Sequence, residues 1–384
     1  MKIADVQTFI VGNPWKNWVF IKLHTDEAVY GVGEATMHRA AKTIETAIIE
    51  FRRYYLGRDP FDLESIHDEL DKCGAPPKVR AAVDIACLDI MGKVLDVPIY
   101  KLIGGSFRRR IKAYANGWYQ TDRVPGEFAE KAKAVVAKGY RAMKFDPFGS
   151  AYGTLSKKEV DLSINIVAAV REAVGQDVDL FIECHGRFNP ATAVKIGKLL
   201  EPYAPGWIEE PMRSNRMEEM ADVGLSLSIP VAGGEGLAGF DAFHKLFAGK
   251  SVQIAQPDTV GCGGISEMKK ICSLAKMYGI SIAPHNAMGP IGTAAALHVD
   301  ASTSNVMIQE VFEDFATPLA AEIVDRPILI ENGEIVVPTD PGLGLDLLEE
   351  QMAKHPYDEA HFLDLYGEGG WEKRKENRPV DTIR

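Results

Sequence analysis

The sequence predicts an α/β protein, a closed (β/α) barrel preceded by a small α+β domain. Three observations carry this reading. From about residue 112, short apolar runs alternate with helical segments, the pattern of a parallel sheet with intervening helices. About eight such units fit into roughly 200 residues, the scale of a (β/α) barrel. Before residue 112 the order differs: apolar, β-branched runs bounded by Gly, Asn, Pro and Asp come first, and helices follow. An open doubly wound sheet is the alternative reading of the same alternation.

Taken in order, VQTFIV, WVFIKLHT and DEAVYGVGEA read as two or three antiparallel strands. The segment GNPWKNW, 12–18, lies between the first two and is a candidate lid. Helical patterns run from about 40 to 95, and AAVDIACLDIMGKVL, 81–95, is apolar nearly all round, which predicts a helix buried at a domain junction. IKAYANG then pairs with EFAEKAKAVVAKG, RAMKFDPF with KKEVDLSINIVAAVREAVG, and LFIECHG with ATAVKIGKLLEPY. GWIEEPM, IPVAGGE, VQIAQPD, ISIAPHN and VMIQEV continue the series. After about residue 320 the alternation stops, and turn-rich PTDPGLG points to a tail returning to the first domain. The predicted division is 1–112, 113–320 and 321–384.

Composition excludes several function classes. With 384 residues, 46% of them hydrophobic, the chain can bury a sizeable core. No apolar stretch approaches the roughly 20 residues of a membrane helix. MKIADVQTF has neither the basic nor the apolar region of a signal peptide, so a cytoplasmic address is expected. Five cysteines without a CxxC pair argue against a disulfide framework and a thiolate zinc site. A net charge of −11 argues against broad nucleic-acid binding, and the one basic run, Arg108 to Arg110, reads as a solvated or ion-paired turn. GCGGIS, 261–266, lacks the GxGxxG spacing and reads as a loop letting the backbone approach a site. Met288 and Met307 read as packing residues, and histidines other than His185 and His285 belong to no comparable constellation.

Ionisable residues fall at the C-terminal end of one apolar run after another: Lys144 and Asp146, Glu183 and His185, Glu209 and Glu210, Glu235, Asp258, His285, Glu310. In a barrel these ends converge on one mouth. Five carboxylates gathered there cannot all ionise without cations, because like charges raise one another's pKa. Oxygen donors without cysteine suit Mg²⁺, with Mn²⁺ second. Asp258 and His285 come from adjacent strands, and an Asp that orients a His makes it a base. Lys144 supplies fixed positive charge for a substrate anion. In FIECHGRF, strand alternation would turn Glu183, His185 and Arg187 to one face.

These residues resemble the enolase superfamily, in particular the mandelate racemase subgroup and its galactonate dehydratase-type sugar-acid dehydratases. The resemblance rests on AAVDIACLDIMGKVLDVPIYKLIGG, ECHGR, WIEEP, AGGE, QPDTVGCGGISE, APHNAMGPIGTAAALH, IQE and PTDPGLG, and covers essentially the whole chain. It implies a modified (β/α)7β barrel under an α+β capping domain completed by C-terminal residues, and a homo-oligomer. Mg²⁺ would be held by Glu183, Glu209 and Glu235. The implied reaction is Mg²⁺-dependent dehydration of an aldonic acid to a 2-keto-3-deoxy acid, with a small-molecule sugar acid as the only partner class and neither nucleic acid nor membrane. His285 with Asp258 would be the base, His185 the acid for the leaving 3-hydroxyl, Lys144 the charge stabiliser, and a protonated Glu310 a hydrogen-bond donor to the substrate carboxylate. Asp146 is expected at a distal hydroxyl, Arg187 as an anchor for local carboxylates, and Trp15 or Lys16 at the far end of the sugar. Two departures stand out: the first metal ligand is usually Asp, here Glu183, and the Lys-x-Lys pair of the racemases reads Lys144, Phe145, Asp146. The second departure disfavours two-base racemisation. A cycloisomerase or epimerase is the alternative activity, and a catalytically silent binding protein the alternative class.

Overall fold

The structure is a computed structural model and describes residues 1–361. Strands β1 (Ile3–Asn13), β2 (Lys16–Thr25) and β3 (Tyr30–Glu34) form an antiparallel sheet. Asn13 pairs with Lys16, so only Pro14 and Trp15 turn the chain, and GNPWKNW is a tight hairpin tip rather than a long lid. Helices α1 (Ala41–Phe51), α2 (Leu63–Lys72) and α3 (Pro77–Leu95) pack on this sheet. Pro77 opens α3, and Asp96 in the left-handed region ends it. The helix is buried on nearly every side, as its composition predicts, because the sheet covers one face and the barrel the other. Gly31 and Gly33 allow the first contact: a Cβ on either would sit 2.0–2.1 Å from the carbonyls of Ala86 and Ala82.

The second body is built from eight parallel strands: β4 (Arg110–Ala115), β5 (Ala142–Phe145), β6 (Asp179–Glu183), β7 (Trp207–Glu209), β8 (Val231–Gly233), β9 (Ile254–Ala255), β10 (Ser281–Ile282) and β11 (Gln309–Val311). Seven of the connections carry helices, the longest being Lys157–Val174. Val306 bridges Ile282 on one side, while Gln309–Val311 pairs with Ala113–Ala115 on the other. The last segment therefore ties the end of the sheet to its beginning, which the doubly wound alternative would not do. Tyr114, Phe181, Trp207, Ala232, Ile254, Ala283 and Ile308 fill the interior, with the Phe181 and Trp207 rings stacked. The far rim is thus a packed floor on which polar side chains can be held.

The two bodies meet through buried polar contacts as well as apolar ones. Glu34, at the end of β3, accepts hydrogen bonds of 2.7 Å from the Gly289 and Gly292 amides at the start of helix Pro290–Ala301. Arg80 on α3 pairs with Glu267 at 2.9 Å. Gly263 and Gly264 both have positive φ, and a Cβ on Gly264 would lie 2.5 Å from Asp84 Oδ2. The glycines of GCGGIS therefore let the barrel approach α3, not the backbone approach the site.

The tail first adds β12 (Ile330–Glu331) and β13 (Glu334–Val336), the latter antiparallel to the start of β4. Further on, Leu343 donates its amide to Asp89 on α3 at 2.8 Å, the Gly12 amide reaches the His355 carbonyl, and Asn17 donates to the carbonyls of Asp358 and His361. The part of the predicted 321–384 segment beyond 361 lies outside the described residues. Arg110 pairs with Glu331, and Arg108 donates to the Val306 carbonyl. Met288 is buried but Met307 is 43% exposed, so only the first is a packing residue. All five cysteines are free, and among the described residues no helix is long and apolar enough to cross a membrane.

His298 gives this joint a pH dependence. Fully buried, it accepts from the Tyr100 amide at Nδ1 and donates from Nε2 to the Leu343 carbonyl, so it is held neutral. Burial pushes its pKa down to about 4, against about 6.5 unfolded. Because the folded pKa is depressed, stability is full above pH 6.5 and falls as the unfolded state takes up protons. Urea unfolding should lose about 2 kcal/mol between pH 7 and pH 5 through this residue. In His298→Gln that part of the slope should be absent; an unchanged slope would assign it elsewhere.

Candidate active site

Lys144, at the end of β5, is the centre of the site. Its ammonium contacts Glu209 and lies 2.9 Å from Glu310 Oε1 and 3.3 Å from Glu183 Oε2, all three carboxylates being buried. Burial alone would lower the lysine pKa, but the charges of Glu209 and Glu310 outweigh it and hold the ammonium well above its ordinary range. Lys144 is therefore always charged.

Glu183, Glu209 and Glu235 end or follow three neighbouring strands, and each offers an oxygen within 4.8 Å of the others. Trp207 Nε1 and Gln256 Nε2 both donate to Glu209 Oε2, at 2.9 and 2.5 Å, and fix its orientation. Burial and the neighbouring charge of Glu183 push Glu209 well above the ordinary carboxyl range. Glu183 is held below it despite burial, by the charges of His185 and Lys144 and a hydrogen bond from Glu209. Two carboxylates pushed in opposite directions at such close range are where a cation would relieve the repulsion. An all-oxygen donor set of this size fits Mg²⁺ or Mn²⁺, and Glu183 in place of Asp still brings its oxygen into the set.

Two histidines border the same cavity, and each is backed by a buried aspartate. His285 Nδ1 lies 2.8 Å from Asp258 Oδ2 and its Nε2 3.4 Å from Glu235. Asp258 also caps the short helix Thr259–Cys262 through the Gly261 amide. Burial lowers the His285 pKa, but Glu235, the Asp258 hydrogen bond and Glu310 together bring it up to about 9. His185 Nδ1 lies 2.7 Å from Asp146 Oδ2.

Three expectations are corrected here. Strand β6 stops at Glu183, and His185 turns the chain at a φ of +49°, so alternation does not set the directions of Glu183, His185 and Arg187. Asp146 does not line the cavity: it is buried, bound by His185, the Arg187 guanidinium and the Phe148 amide, and cannot reach a distal hydroxyl. Glu310 accepts from Lys144, from Asn116 Nδ2 at 2.7 Å and from the Asn286 amide at 2.9 Å. Burial would raise its pKa, yet the Lys144 and His285 charges and the Asn286 amide hold it below the ordinary range, which runs against the protonated state expected of it.

The cavity, about 520 Å³, lies between the strand ends and the capping domain. Lys144, Glu183, His185, Glu235, His285 and Glu310 line it, as does Trp15, whose ring packs on Phe312. Lys16 does not; it is fully buried behind Trp15. His38, set aside in the sequence, does line it, as do Asn116, Glu210, Lys78 and Arg213. Asn116 closes the run IKAYAN, and the strand-end rule would have found it. Glu210 accepts from Ser214 and the Gly234 amide, and burial together with Glu235 raises its pKa to about 7.

Family models match both bodies: the mandelate racemase/muconate lactonizing enzyme N-terminal domain over residues 5–104, and the enolase C-terminal domain-like model over 127–351. The chain belongs to the mandelate racemase/muconate lactonizing enzyme family. It is thereby an enzyme of the enolase superfamily, with that fold of capping domain and α/β barrel. It is 34% identical to D-gluconate dehydratase of Thermoproteus tenax over 89% of this chain and 70% of that one. It is also 34% identical to D-gluconate/D-galactonate dehydratase of Picrophilus torridus over 90% of each. A crystal structure of a family member from Jannaschia sp. CCS1, 33% identical, superposes with a TM-score of 0.88 over 93% of this chain and 98% of that one.

Within this family member, the carboxylate set predicts a linkage between metal and stability. Mg²⁺ at about 100 times its Kd should stabilise the fold by about 2.7 kcal/mol, read as a rise in Tm. Glu209→Gln and Glu235→Gln should each remove most of that rise. An undiminished rise in both would place the cation elsewhere.

Proposed function

We propose that the enzyme dehydrates an aldonic acid skeleton to the 2-keto-3-deoxy acid by removing the C2 proton and expelling the C3 hydroxyl. The observation that carries this reading is the pair of His–Asp couples, His285–Asp258 and His185–Asp146, on one cavity with Lys144. Elimination of water needs one group to accept a proton and another to donate one, and a fixed cation for the charge that appears between. The names of the relatives, gluconate and galactonate dehydratases, agree with it.

His285 would take the C2 proton through Nε2, since Nδ1 is committed to Asp258. Lys144 would hold the substrate carboxylate, whose second negative charge in the enediolate its ammonium stabilises. Glu183, Glu209 and Glu235 would hold Mg²⁺, which when bound supplies Lewis-acid stabilisation of that charge. His185, with Nδ1 on Asp146, would pass a proton to the departing hydroxyl. The C2–H and C3–O bonds break, water leaves, and the resulting enol becomes the ketone. Asp146 orients His185, and Arg187 holds Asp146 in turn. Glu310, accepting from both, fits a role in placing Lys144 and Asn116 rather than in donating to substrate.

Two variants separate the roles. His185→Asn should lower dehydration by about 10²–10⁴-fold while C2-proton exchange in deuterated water persists. His285→Asn should abolish both. Equal loss of exchange in the two variants would sink the division of labour. An epimer instead of a 2-keto-3-deoxy acid as wild-type product would replace dehydration with epimerisation.

A further inference from the structure

Two buried guanidinium groups grip Asp146 and the turn behind it. From one side comes Arg187, which binds Asp146 itself and donates from Nη1 to the carbonyls of Gly149 at 2.5 Å and Ala151 at 3.2 Å. From the other comes Arg123, on the loop after β4, whose Nη2 donates to the Pro147 carbonyl at 2.8 Å. Between them the turn closes on itself, the Phe148 amide donating to Asp146 Oδ1 at 2.8 Å. Gly149 lies in the middle at a φ of +60°, and a Cβ on it would sit 2.8–3.1 Å from Arg123 Cδ, Nη1 and Nε. Glycine permits both the left-handed turn and the close approach of the guanidinium.

Arg123 is 7% exposed and does not line the cavity. Its charge is balanced by Glu159 on helix Lys157–Val174, 2.6 Å from Nη1, and Nη2 also reaches Ser163 Oγ at 3.0 Å. Burying such a pair costs desolvation that packed apolar side chains of the same volume would avoid. What the guanidinium adds is direction, because its rigid fork fixes several acceptors at once. Of its three partners, only the Pro147 carbonyl leads to the site, one residue from Asp146.

We propose that Arg123 is a positioning residue for the acid side of the site: by fixing the turn 146–149 it keeps Asp146 on His185 Nδ1, and so keeps His185 turned toward the leaving hydroxyl. The inference rests on the dehydration reading above and deepens it. Asp258 and His285 follow other strands, β9 and β10, and are held by other partners, so the base does not share this support. Loss of Arg123 should therefore separate the two halves of the reaction.

The test measures dehydration and C2-proton exchange in deuterated water for each variant. Arg123→Met combined with Glu159→Gln removes the guanidinium without leaving a carboxylate buried alone, and Glu159→Gln by itself, which keeps the Pro147 contact, is the reference. The double variant should lose about 10–100-fold in kcat for dehydration, with KM and exchange within about threefold of the reference. Arg123→Lys keeps the charge beside Glu159 but not the fork. It should show the same split at smaller size, and it carries the test if the double variant does not fold. Equal loss of dehydration and exchange would make Arg123 a structural residue only, and loss of neither would also overturn the positioning role. Spectra of protein labelled with ¹⁵N-histidine read the couple without turnover. The His185 Nδ1 signal, assigned by its absence in His185→Asn, should move in the Arg123 variants while that of His285 stays. An unmoved His185 signal overturns the role whatever the reaction is. A moved signal in an enzyme whose wild type forms no 2-keto-3-deoxy product keeps the positioning of His185 and sinks the dehydratase reading.

Discussion

One ammonium among three buried carboxylates is the constraint on which the rest of the site depends. Lys144 cannot balance Glu183, Glu209 and Glu310 by itself. Buried charges are tolerated only when paired and hydrogen-bonded, and the chain meets that condition twice. Neutral donors from scattered elements, Trp207, Gln256, Asn116 and the Asn286 amide, occupy the carboxylate oxygens. The opposed pKa directions of Glu183 and Glu209 show that the pair repels, and a hard cation held by the carboxylate set would relieve that repulsion. The same arrangement that is costly for folding is the one the proposed reaction would use, since its substrate's charge would double on proton removal.

That electrostatic machinery needs exclusion of water, which the capping domain supplies. Its attachment is specific: Glu34 on the amides that open helix Pro290–Ala301, Arg80 on Glu267, and Gly264 drawn against Asp84. Each of these contacts joins α3 or β3 to the loops and helices that follow β9 and β10, the strands leading to Asp258 and His285. Seating the cap and placing the Asp258–His285 couple are therefore one packing problem. A lower effective dielectric in the closed cavity strengthens every charge interaction inside it.

The sequence disclosed whatever obeyed the barrel's period. Lys144, Glu183, Glu209, Glu235, Asp258, His285 and Glu310 recur at strand ends about 25 residues apart, and the fold brings them together at one mouth. What stayed hidden depended on leaving that period. His185 at φ +49° breaks the strand after Glu183, and His185 and Arg187 then meet Asp146 from the neighbouring strand, so a supposed substrate ligand is the partner of a histidine. The hydrogen-bond partners of Glu310 include Asn116 and Asn286, 194 and 24 residues away in sequence, which no local pattern links. His38 enters the site only because the cap is seated where it is.

The two histidine couples are alike in distance but not in charge. Asp258 gives one oxygen to His285 and the other to a neutral amide, so its charge acts chiefly on the imidazole, and Glu235 and Glu310 add to the pull. That is the environment of a proton acceptor, and a cation engaging Glu235 would relieve part of the pull that keeps the ring protonated. Asp146 shares the oxygen that faces His185 with the Arg187 guanidinium, so its charge is divided between two partners. A carboxylate so divided orients its histidine through a shared oxygen. In the proposed reaction these two similar side chains would take opposite parts, the general way one site runs acid and base chemistry at a single pH.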